Sequence, residues 1–254
     1  MELARRALAA LDLTCLDEAA PPARIEALCR SAGLPRCGAA AAVCVYPEYL
    51  RSARAWLDHA GWRTVQVATV ANFPAGRDDG TAAAGEVRRA VSAGADEVDV
   101  VFPWRALRDG DAGRGEAFVA ACREACGPSA RLKIILETGA LQDPALIRSA
   151  SLAALRGGAD FLKTSTGRTA VHATPEAAEV MLRCIADHGG ACGFKASGGL
   201  RHLVDVAPYF ALADTLLGPD WASPARFRLG ASSLFDAIRA ELGGSAASPP
   251  ADGY

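Results

Sequence analysis

Residues 161–199 read FLKTSTGRTAVHATPEAAEVMLRCIADHGGACGFKASGG, and this stretch contains one complete strand–helix–strand unit. It begins with a short apolar run that ends in Lys163 and closes with a second run that ends in Lys195. Thr174 followed by Pro175 predicts the start of the helix between them, because threonine caps helix N-termini and proline favours the first helical position. Two strands joined by a helix form the repeating unit of parallel α/β folds.

The same unit recurs along the chain. Short β-prone runs alternate with segments rich in alanine, leucine and arginine that have helical character. The eight runs cover residues 11–14, 41–46, 65–70, 97–102, 132–137, 161–163, 193–195 and 227–229. Eight such units predict an α/β fold of the (β/α)8 TIM-barrel type in a single domain. A doubly wound open sheet is the alternative architecture.

The composition limits the classes of function. The chain has 254 residues, of which 51% are hydrophobic and 22% charged, which suits one large domain with a full core. We predict that residues 1–244 form the barrel and residues 245–254 a flexible tail ending in Tyr254. The net charge of −2 provides no general attraction for nucleic acids or membranes, and no apolar run is long enough to span a bilayer. Eight irregularly spaced cysteines favour reduced thiols in a cytoplasmic protein.

Lysine is rare in this chain, since only Lys133, Lys163 and Lys195 occur among 27 basic residues. A GC-rich codon bias accounts for the scarcity, but it does not account for the position of these lysines inside apolar segments. Arginine keeps its proton in proteins, whereas a lysine amine that loses its proton can attack a carbonyl carbon and form a Schiff base. The lysines are therefore candidates for nucleophilic catalysis.

Lys163 and Lys195 end the sixth and seventh runs, so both should project at the C-terminal face of the barrel, where active sites form. Neighbouring strands lie about 4.8 Å apart, which allows the two amines to approach closely. Burial and a second nearby cation both lower the pKa of a lysine, so one of the pair can act as nucleophile and the other as its activator. The alternative is that each lysine is paired with a carboxylate for structural reasons.

Asp99 lies in a run rich in valine, on the same strand face as Glu97. A carboxylate in such surroundings is not expected to be solvated, and it could move protons to and from an imine or the carbinolamine before it. Lys133 comes early in the fifth run and hence deeper in the barrel, where it could pair with Asp99. A structural and a catalytic role of Lys133 fit the sequence equally well.

The loops after the runs predict an anion site. Glycines and serines follow the seventh and eighth runs, at the place where many barrels hold a phosphate with backbone N–H groups and a helix N-terminus. A glycine and an arginine after the sixth run could add an N–H group and a guanidinium. The predicted anion-site residues are Gly167, Arg168, Gly198, Gly199, Ser232 and Ser233.

Metal and nucleotide chemistry find little support in the sequence. The four histidines show no metal-ligand spacing. A GxSxG motif, a Walker loop and a GxGxxG motif after a strand are all missing from the chain. We therefore expect neither a metal ion nor an organic cofactor.

Over nearly its whole length, the chain resembles the deoxyribose-phosphate aldolases, which are class I (Schiff-base) aldolases on a (β/α)8 barrel. The Thr-Ser-Thr-Gly sequence after Lys163 is the most specific part of this resemblance. Further matching segments are residues 11–14, 70–74, 96–103, 135–139, 193–199 and 230–234. Two departures are small, namely Trp104 in place of a common tyrosine and Arg168 in place of a common lysine.

The resemblance implies a role for each candidate residue. Lys163 would form the imine, Asp99 would donate and accept protons, and Lys195 would lower the pKa of the nucleophile and take part in proton relay. The glycines and serines after the last two strands would hold the phosphate of the substrate. Supporting positions would be Lys133, Asp12, Thr14 and Tyr254.

The activity that the resemblance implies is the reversible cleavage of 2-deoxy-D-ribose 5-phosphate to D-glyceraldehyde 3-phosphate and acetaldehyde. The substrate would be a small phosphorylated sugar, without a nucleic-acid or membrane partner, and a homo-oligomer is compatible with the sequence. Two alternatives remain open. One is a phosphosugar isomerase that uses lysine and aspartate without a covalent intermediate, and the other is a non-catalytic barrel that binds phosphorylated sugars.

Overall fold

In a computed structural model, which describes residues 1–111 and 113–243, eight parallel strands form a closed barrel. Strands β1 to β8 are Leu11–Cys15, Ala42–Val45, Gln66–Ala71, Glu97–Val101, Arg131–Ile135, Phe161–Lys163, Gly193–Ser197 and Phe227–Ala231. Each strand pairs in parallel with its neighbours in the chain, and β1 also pairs with β8. The predicted (β/α)8 barrel is confirmed, and the open doubly wound alternative is wrong.

Helices cover the outside of the barrel and alternate with its strands. Helices α1 to α11 are Glu2–Ala9, Pro22–Arg30, Leu50–His59, Gly80–Ser92, Trp104–Arg108, Gly113–Cys126, Thr138–Leu141, Pro144–Arg156, Pro175–Asp187, Leu203–Leu217 and Leu234–Glu241. A 3-10 turn at Pro47–Tyr49 precedes α3, and a short antiparallel pair, Gly33–Leu34 with Gly38–Ala39, follows α2. No helix within the described ranges has both the length and the apolar character that crossing a bilayer requires.

The helix starts follow from the sequence. The Thr174 side chain accepts a hydrogen bond from the Ala177 N–H at 3.2 Å, and Pro175 occupies the first helical position of α9, as predicted. The last helix, α11, begins directly after Ser233. The predicted tail at residues 245–254, including Tyr254, lies outside the described residues.

Both faces of the strands are buried, as parallel sheets require. The outward faces pack against the helices in one continuous apolar core. The inward faces divide into two regions. On β2 and β3 they carry small apolar side chains, namely Ala42, Cys44, Ala68 and Val70. The remaining strands carry charged groups into the interior, and these groups form the candidate site.

Candidate active site

The centre of the barrel holds three carboxylates and four cationic side chains, here called the ionic cluster. Its members are Asp12, Glu97, Asp99, Lys133, Lys163, Lys195 and Arg228. None of them is more than 3% exposed. Moving a charge out of water costs several kcal/mol unless it is paired, so the contacts inside the cluster decide the protonation state of each group.

The carboxylate of Asp99 contacts the amines of all three lysines. The parallel register sets Lys163 on β6 beside Lys195 on β7, and Asp99 on β4 beside Lys133 on β5. The Nζ atoms of Lys163 and Lys195 both lie 2.8 Å from Oδ2 of Asp99. The Nζ atom of Lys133 lies 2.7 Å from Oδ1. The fold thus brings together all three residues predicted to be catalytic, and it confirms the predicted contact between Lys133 and Asp99.

The three lysines differ in how well their charge is compensated. Lys195 has a second carboxylate, since its Nζ lies 2.5 Å from Oδ2 of Asp12. Lys133 also has a second carboxylate, with its Nζ 2.5 Å from Oε2 of Glu97. Within the described ranges, Lys163 pairs with Asp99 alone, through the oxygen that Lys195 also contacts. The structural reading, an inward lysine paired with a carboxylate, therefore fits Lys133 and Lys195 better than Lys163.

Arg228 completes the ionic cluster. Its Nη1 donates to Oδ1 of Asp12 at 2.7 Å and its Nη2 donates to Oε1 of Glu97 at 2.7 Å. Sequence reasoning missed this residue, although an arginine in the middle of an apolar strand run was a usable signal. Arg228 thus pairs with Asp12 and Glu97, whereas Lys163 pairs with Asp99.

Charge balance favours an uncharged Lys163. With every lysine protonated, the ionic cluster carries four positive and three negative charges, whereas a neutral Lys163 leaves none in excess. Burial lowers the pKa of Lys163, Asp99 opposes this effect, and the charge of Lys195 adds to it. The resulting pKa lies below the ordinary lysine value of 10.5. The amine that the sequence singles out is thus the one whose proton is most easily removed.

The other members of the ionic cluster stay charged. Burial opposes the charge of Lys195 and of Lys133, but the neighbouring carboxylates outweigh it and raise both pKa values. Burial alone would raise the pKa of Asp99, yet the charges of Lys133, Lys163 and Lys195 hold it well below its usual range. An ionised carboxylate thus lies within hydrogen-bond distance of an amine whose pKa is lowered.

A cavity of about 770 Å³ lies at the C-terminal ends of β1, β6, β7 and β8. Thr14 and Ser197 line it, and they stand two residues beyond Asp12 and Lys195 on the same inner faces of β1 and β7. The cavity therefore lies one layer above the ionic cluster. All six predicted anion-site residues line it, namely Gly167, Arg168, Gly198, Gly199, Ser232 and Ser233.

Backbone N–H groups surround this cavity. Gly198 and Gly199 have φ angles of 86° and 77°, a left-handed conformation that glycine adopts readily. Within residues 1–111 and 113–243, several N–H groups in the cavity lining have no hydrogen-bond acceptor. They include the N–H groups of Gly167, Gly199, Leu200, Ser232 and Ser233. Such an arrangement, next to the N-terminus of α11, is typical of an oxyanion site.

The cavity also holds residues that sequence reasoning missed. Arg24 on α2 and Arg201 after the glycine pair line it, together with His172. Together with Arg168, the lining contains three arginines and one carboxylate, Asp17. Its positive charge favours an anionic ligand. No pattern in the sequence connects α2 with the loop after β7. Across the described part of the chain, no group of three or more His, Cys, Asp or Glu side chains is placed to hold a metal ion.

Gly230 fits tightly between β7 and the ionic cluster. A Cβ atom at this position would lie 2.7 Å from Oγ of Ser197 and 2.9 Å from Cε of Lys195. We expect Gly230→Ala to lower the free energy of unfolding by about 1–3 kcal/mol, because overpacking a core forces its neighbours to move. Denaturant unfolding would measure the loss. Gly113→Ala is the control, since its Cβ would meet only Asp111 Oδ1 at 4.0 Å, and an equal loss in both variants would contradict the packing argument.

Comparison with known proteins identifies the family. The chain matches the family model described as DeoC/LacD family aldolase over residues 6–215. Two similar solved structures are named as candidate deoxyribose-phosphate aldolases. The one from Toxoplasma gondii ME49, in its apo form, has 27% identity and a TM-score of 0.87, with 97% of this chain and 98% of that chain covered. The one from Coccidioides immitis has 29% identity and a TM-score of 0.78, with 94% and 87% covered.

A third similar structure is a tetrameric deoxyribose phosphate aldolase from Aeropyrum pernix, with 23% identity and a TM-score of 0.71. The alignment covers 95% of this chain and 93% of that chain, and at this identity the similarity shows the fold alone. The family match spans most of the barrel, from α1 to α10, and includes all three lysines and Asp99. The chain belongs to the DeoC/LacD family of aldolases.

Proposed function

We propose that this protein is a class I aldolase that reversibly cleaves 2-deoxy-D-ribose 5-phosphate to D-glyceraldehyde 3-phosphate and acetaldehyde. One observation carries the proposal. Lys163 is a buried amine with a lowered pKa, and it shares one oxygen of an ionised Asp99 with a second lysine. This arrangement favours loss of the amine proton next to a group that can accept and return protons, and Schiff-base chemistry requires both.

In the cleavage direction, the Lys163 amine attacks C1 of the open-chain sugar. The carbinolamine loses water, and the product is a protonated imine between Nζ and C1. Asp99, 2.8 Å from Nζ, is placed to pass a proton to the departing hydroxyl. The imine nitrogen keeps a positive charge, so its carboxylate neighbour stabilises it.

The protonated imine then draws electrons from the C2–C3 bond. The C3 hydroxyl loses its proton, C3 becomes the aldehyde carbon of glyceraldehyde 3-phosphate, and the electron pair of the broken bond forms an enamine at C2. Protonation of C2 regenerates an imine, and water releases acetaldehyde from Lys163. Lys195 contacts the same oxygen of Asp99 as Lys163 does, so it is placed to relay protons in these steps.

The cavity above the ionic cluster would bind the phosphorylated end of the substrate. Its unpaired N–H groups and arginine side chains suit a phosphate dianion. Arg168 lies at the rim, where its Nη2 donates to the carbonyl oxygen of Leu16 and its backbone N–H donates to Oγ1 of Thr166. Of the residues of this loop that line the cavity in the described part of the chain, Gly167 has a backbone N–H that remains available to the ligand.

Reductive trapping tests the proposal directly. Incubation with acetaldehyde and sodium borohydride should add one ethyl group to the protein, and peptide mass spectrometry should locate it on Lys163. A coupled assay should detect glyceraldehyde 3-phosphate from 2-deoxyribose 5-phosphate. Isomerised sugar without a trapped adduct would point to a phosphosugar isomerase, and binding without turnover would point to a non-catalytic barrel.

The pH dependence should report the lowered pKa of Lys163. A free amine is needed, so kcat/KM should rise with pH, and the midpoint of the rise should lie below pH 10.5. Replacing Lys195 with methionine removes a positive charge that lowers this pKa, so the rise should move to higher pH. Lys195→Arg keeps the charge and should retain the wild-type midpoint. An unchanged profile in Lys195→Met would contradict the activating role of Lys195.

We also propose a cytoplasmic location and a homo-oligomeric assembly. All eight cysteines are unpaired, which suits a reducing compartment. The tetramer of the Aeropyrum pernix protein supports an oligomer for this chain. Light scattering coupled to size-exclusion chromatography should give at least twice the chain mass of 26.3 kDa. The mass of a single chain would contradict the assembly.

A further inference from the structure

Glu137 is a buried acidic side chain that the proposed mechanism does not use. It follows β5, is 1% exposed, and has a φ angle of 57°, which is costly for a residue with a Cβ atom. Within the described ranges, its carboxylate forms no ion pair, unlike the carboxylates of the ionic cluster. Burying an unpaired carboxylate is expensive, so its remaining contacts must offset the cost.

The hydrogen bonds of the Glu137 carboxylate all come from one loop. The Thr166 hydroxyl donates to Oε2 of Glu137 at 2.6 Å, and the Thr166 N–H donates to Oε1 at 3.3 Å. The Thr169 hydroxyl lies 3.2 Å from Oε1 of Glu137 and 3.0 Å from the carbonyl oxygen of Val171, so its one hydrogen is shared between these two acceptors. Both carboxylate oxygens are therefore bound to the segment that directly follows Lys163, here called the β6 loop (residues 164–169). Hydrogen bonds to an ionised acceptor are stronger than neutral ones.

The bonds to Glu137 continue to the cavity. The same Thr166 hydroxyl that donates to Glu137 accepts a bond from the N–H of Arg168 at 3.0 Å. This bond fixes the backbone on either side of Gly167, whose N–H lies in the cavity lining and has no acceptor among the described residues. Glu137 itself does not line the cavity. Its carboxylate thus acts on the anion site only through the backbone of the β6 loop.

We propose that Glu137 is a positioning residue that sets the affinity for the phosphorylated end of the substrate by fixing the β6 loop. It acts on binding of the phosphate and not on the steps at Lys163. The proposal rests on the proposed function, since it assigns the anion in the cavity to the substrate. It separates two buried acidic residues by role, with Asp99 at the reacting atoms and Glu137 behind the phosphate site.

Glu137→Gln is the first test, because it keeps the shape of the side chain but replaces one acceptor oxygen with an NH2 group. We expect KM for 2-deoxyribose 5-phosphate to rise about tenfold, with kcat within about twofold of wild type. For unphosphorylated 2-deoxyribose, kcat/KM should not change. Glu176→Gln is the matched control, since Glu176 is exposed in the first turn of α9, and it should change neither value.

Thr169→Val provides an independent test if Glu137→Gln fails to fold. It removes the hydroxyl that bonds to Glu137 from a residue outside the cavity lining, and KM for the phosphorylated sugar should rise about threefold. An equal loss of kcat/KM for both sugars, or an unchanged KM in Thr169→Val, would overturn the proposal. If wild type lacks aldolase activity, the proposed function fails, and titration with inorganic phosphate still decides the role of Glu137. If Glu137→Gln then bound phosphate with wild-type affinity, the proposed role of Glu137 would be overturned.

Discussion

Replacing Lys163 with methionine should abolish carbon–carbon cleavage, lowering kcat/KM by at least about 10⁴-fold, while the protein stays folded. Methionine keeps a long apolar stem and removes the amine that forms the imine. It leaves three carboxylates and three cations in the ionic cluster, which is the same charge balance as with a neutral Lys163. Steady-state kinetics would measure the loss of cleavage, borohydride trapping the loss of the imine, and thermal unfolding the stability of the variant.

Lys133→Met is the matched control for charge. It leaves three carboxylates with only two permanent cations, Lys195 and Arg228, and removes a contact of 2.5 Å to Glu97. Breaking a buried ion pair from one side typically costs about 3–5 kcal/mol, so this variant should be much less stable than Lys163→Met. Equal destabilisation of the two variants would argue against a neutral Lys163. Residual cleavage by Lys163→Met would argue against the Schiff base at this position.

Asp99→Asn should lower both turnover and stability. Three lysine amines lie within 2.8 Å of the Asp99 carboxylate, and an asparagine would present an NH2 group to at least one of them. We expect kcat to fall by about 10²–10⁴-fold, the usual contribution of a positioned acid–base group. The free energy of unfolding should fall by about 3–5 kcal/mol, because a buried charge loses its partner.

The two effects of Asp99→Asn can be separated. Turnover is measured at a temperature where circular dichroism shows the variant to be folded, and borohydride trapping shows whether Lys163 still forms an imine. Trapping with little turnover would locate the defect in the proton-transfer steps. Asp214→Asn, which breaks a half-buried pair with Arg6, is the control and should cost less than about 1 kcal/mol. A wild-type kcat in Asp99→Asn would remove Asp99 from the mechanism.

Much of the fold follows from the sequence because the periodic signals are strong. Each barrel strand is a short apolar run, and the observed bounds differ from the expected ones by two residues at most. Asp99 and Lys133 were placed together because strand alternation and position along the strand are geometric constraints. These constraints act within one strand or between neighbouring strands, which is where the sequence is most informative.

The parts that could not be predicted lie in the loops and between distant elements. Arg24 reaches the cavity from α2, and no period in the sequence relates it to the loop after β7. His172 shows no metal-ligand spacing in the sequence, yet it packs against Gly198, where an added Cβ would lie 3.0 Å from the His172 Cβ. Glu137 owes its position to a left-handed φ, which apolar periodicity does not encode.

The charge balance of the ionic cluster has a consequence for protein design. The reactivity of Lys163 is a property of seven side chains from six strands, since no one of them can change charge without altering the others. Grafting a single lysine into an unrelated barrel would therefore reproduce the nucleophile's position but not its basicity. A transplant that works has to carry the surrounding carboxylates and cations as one unit.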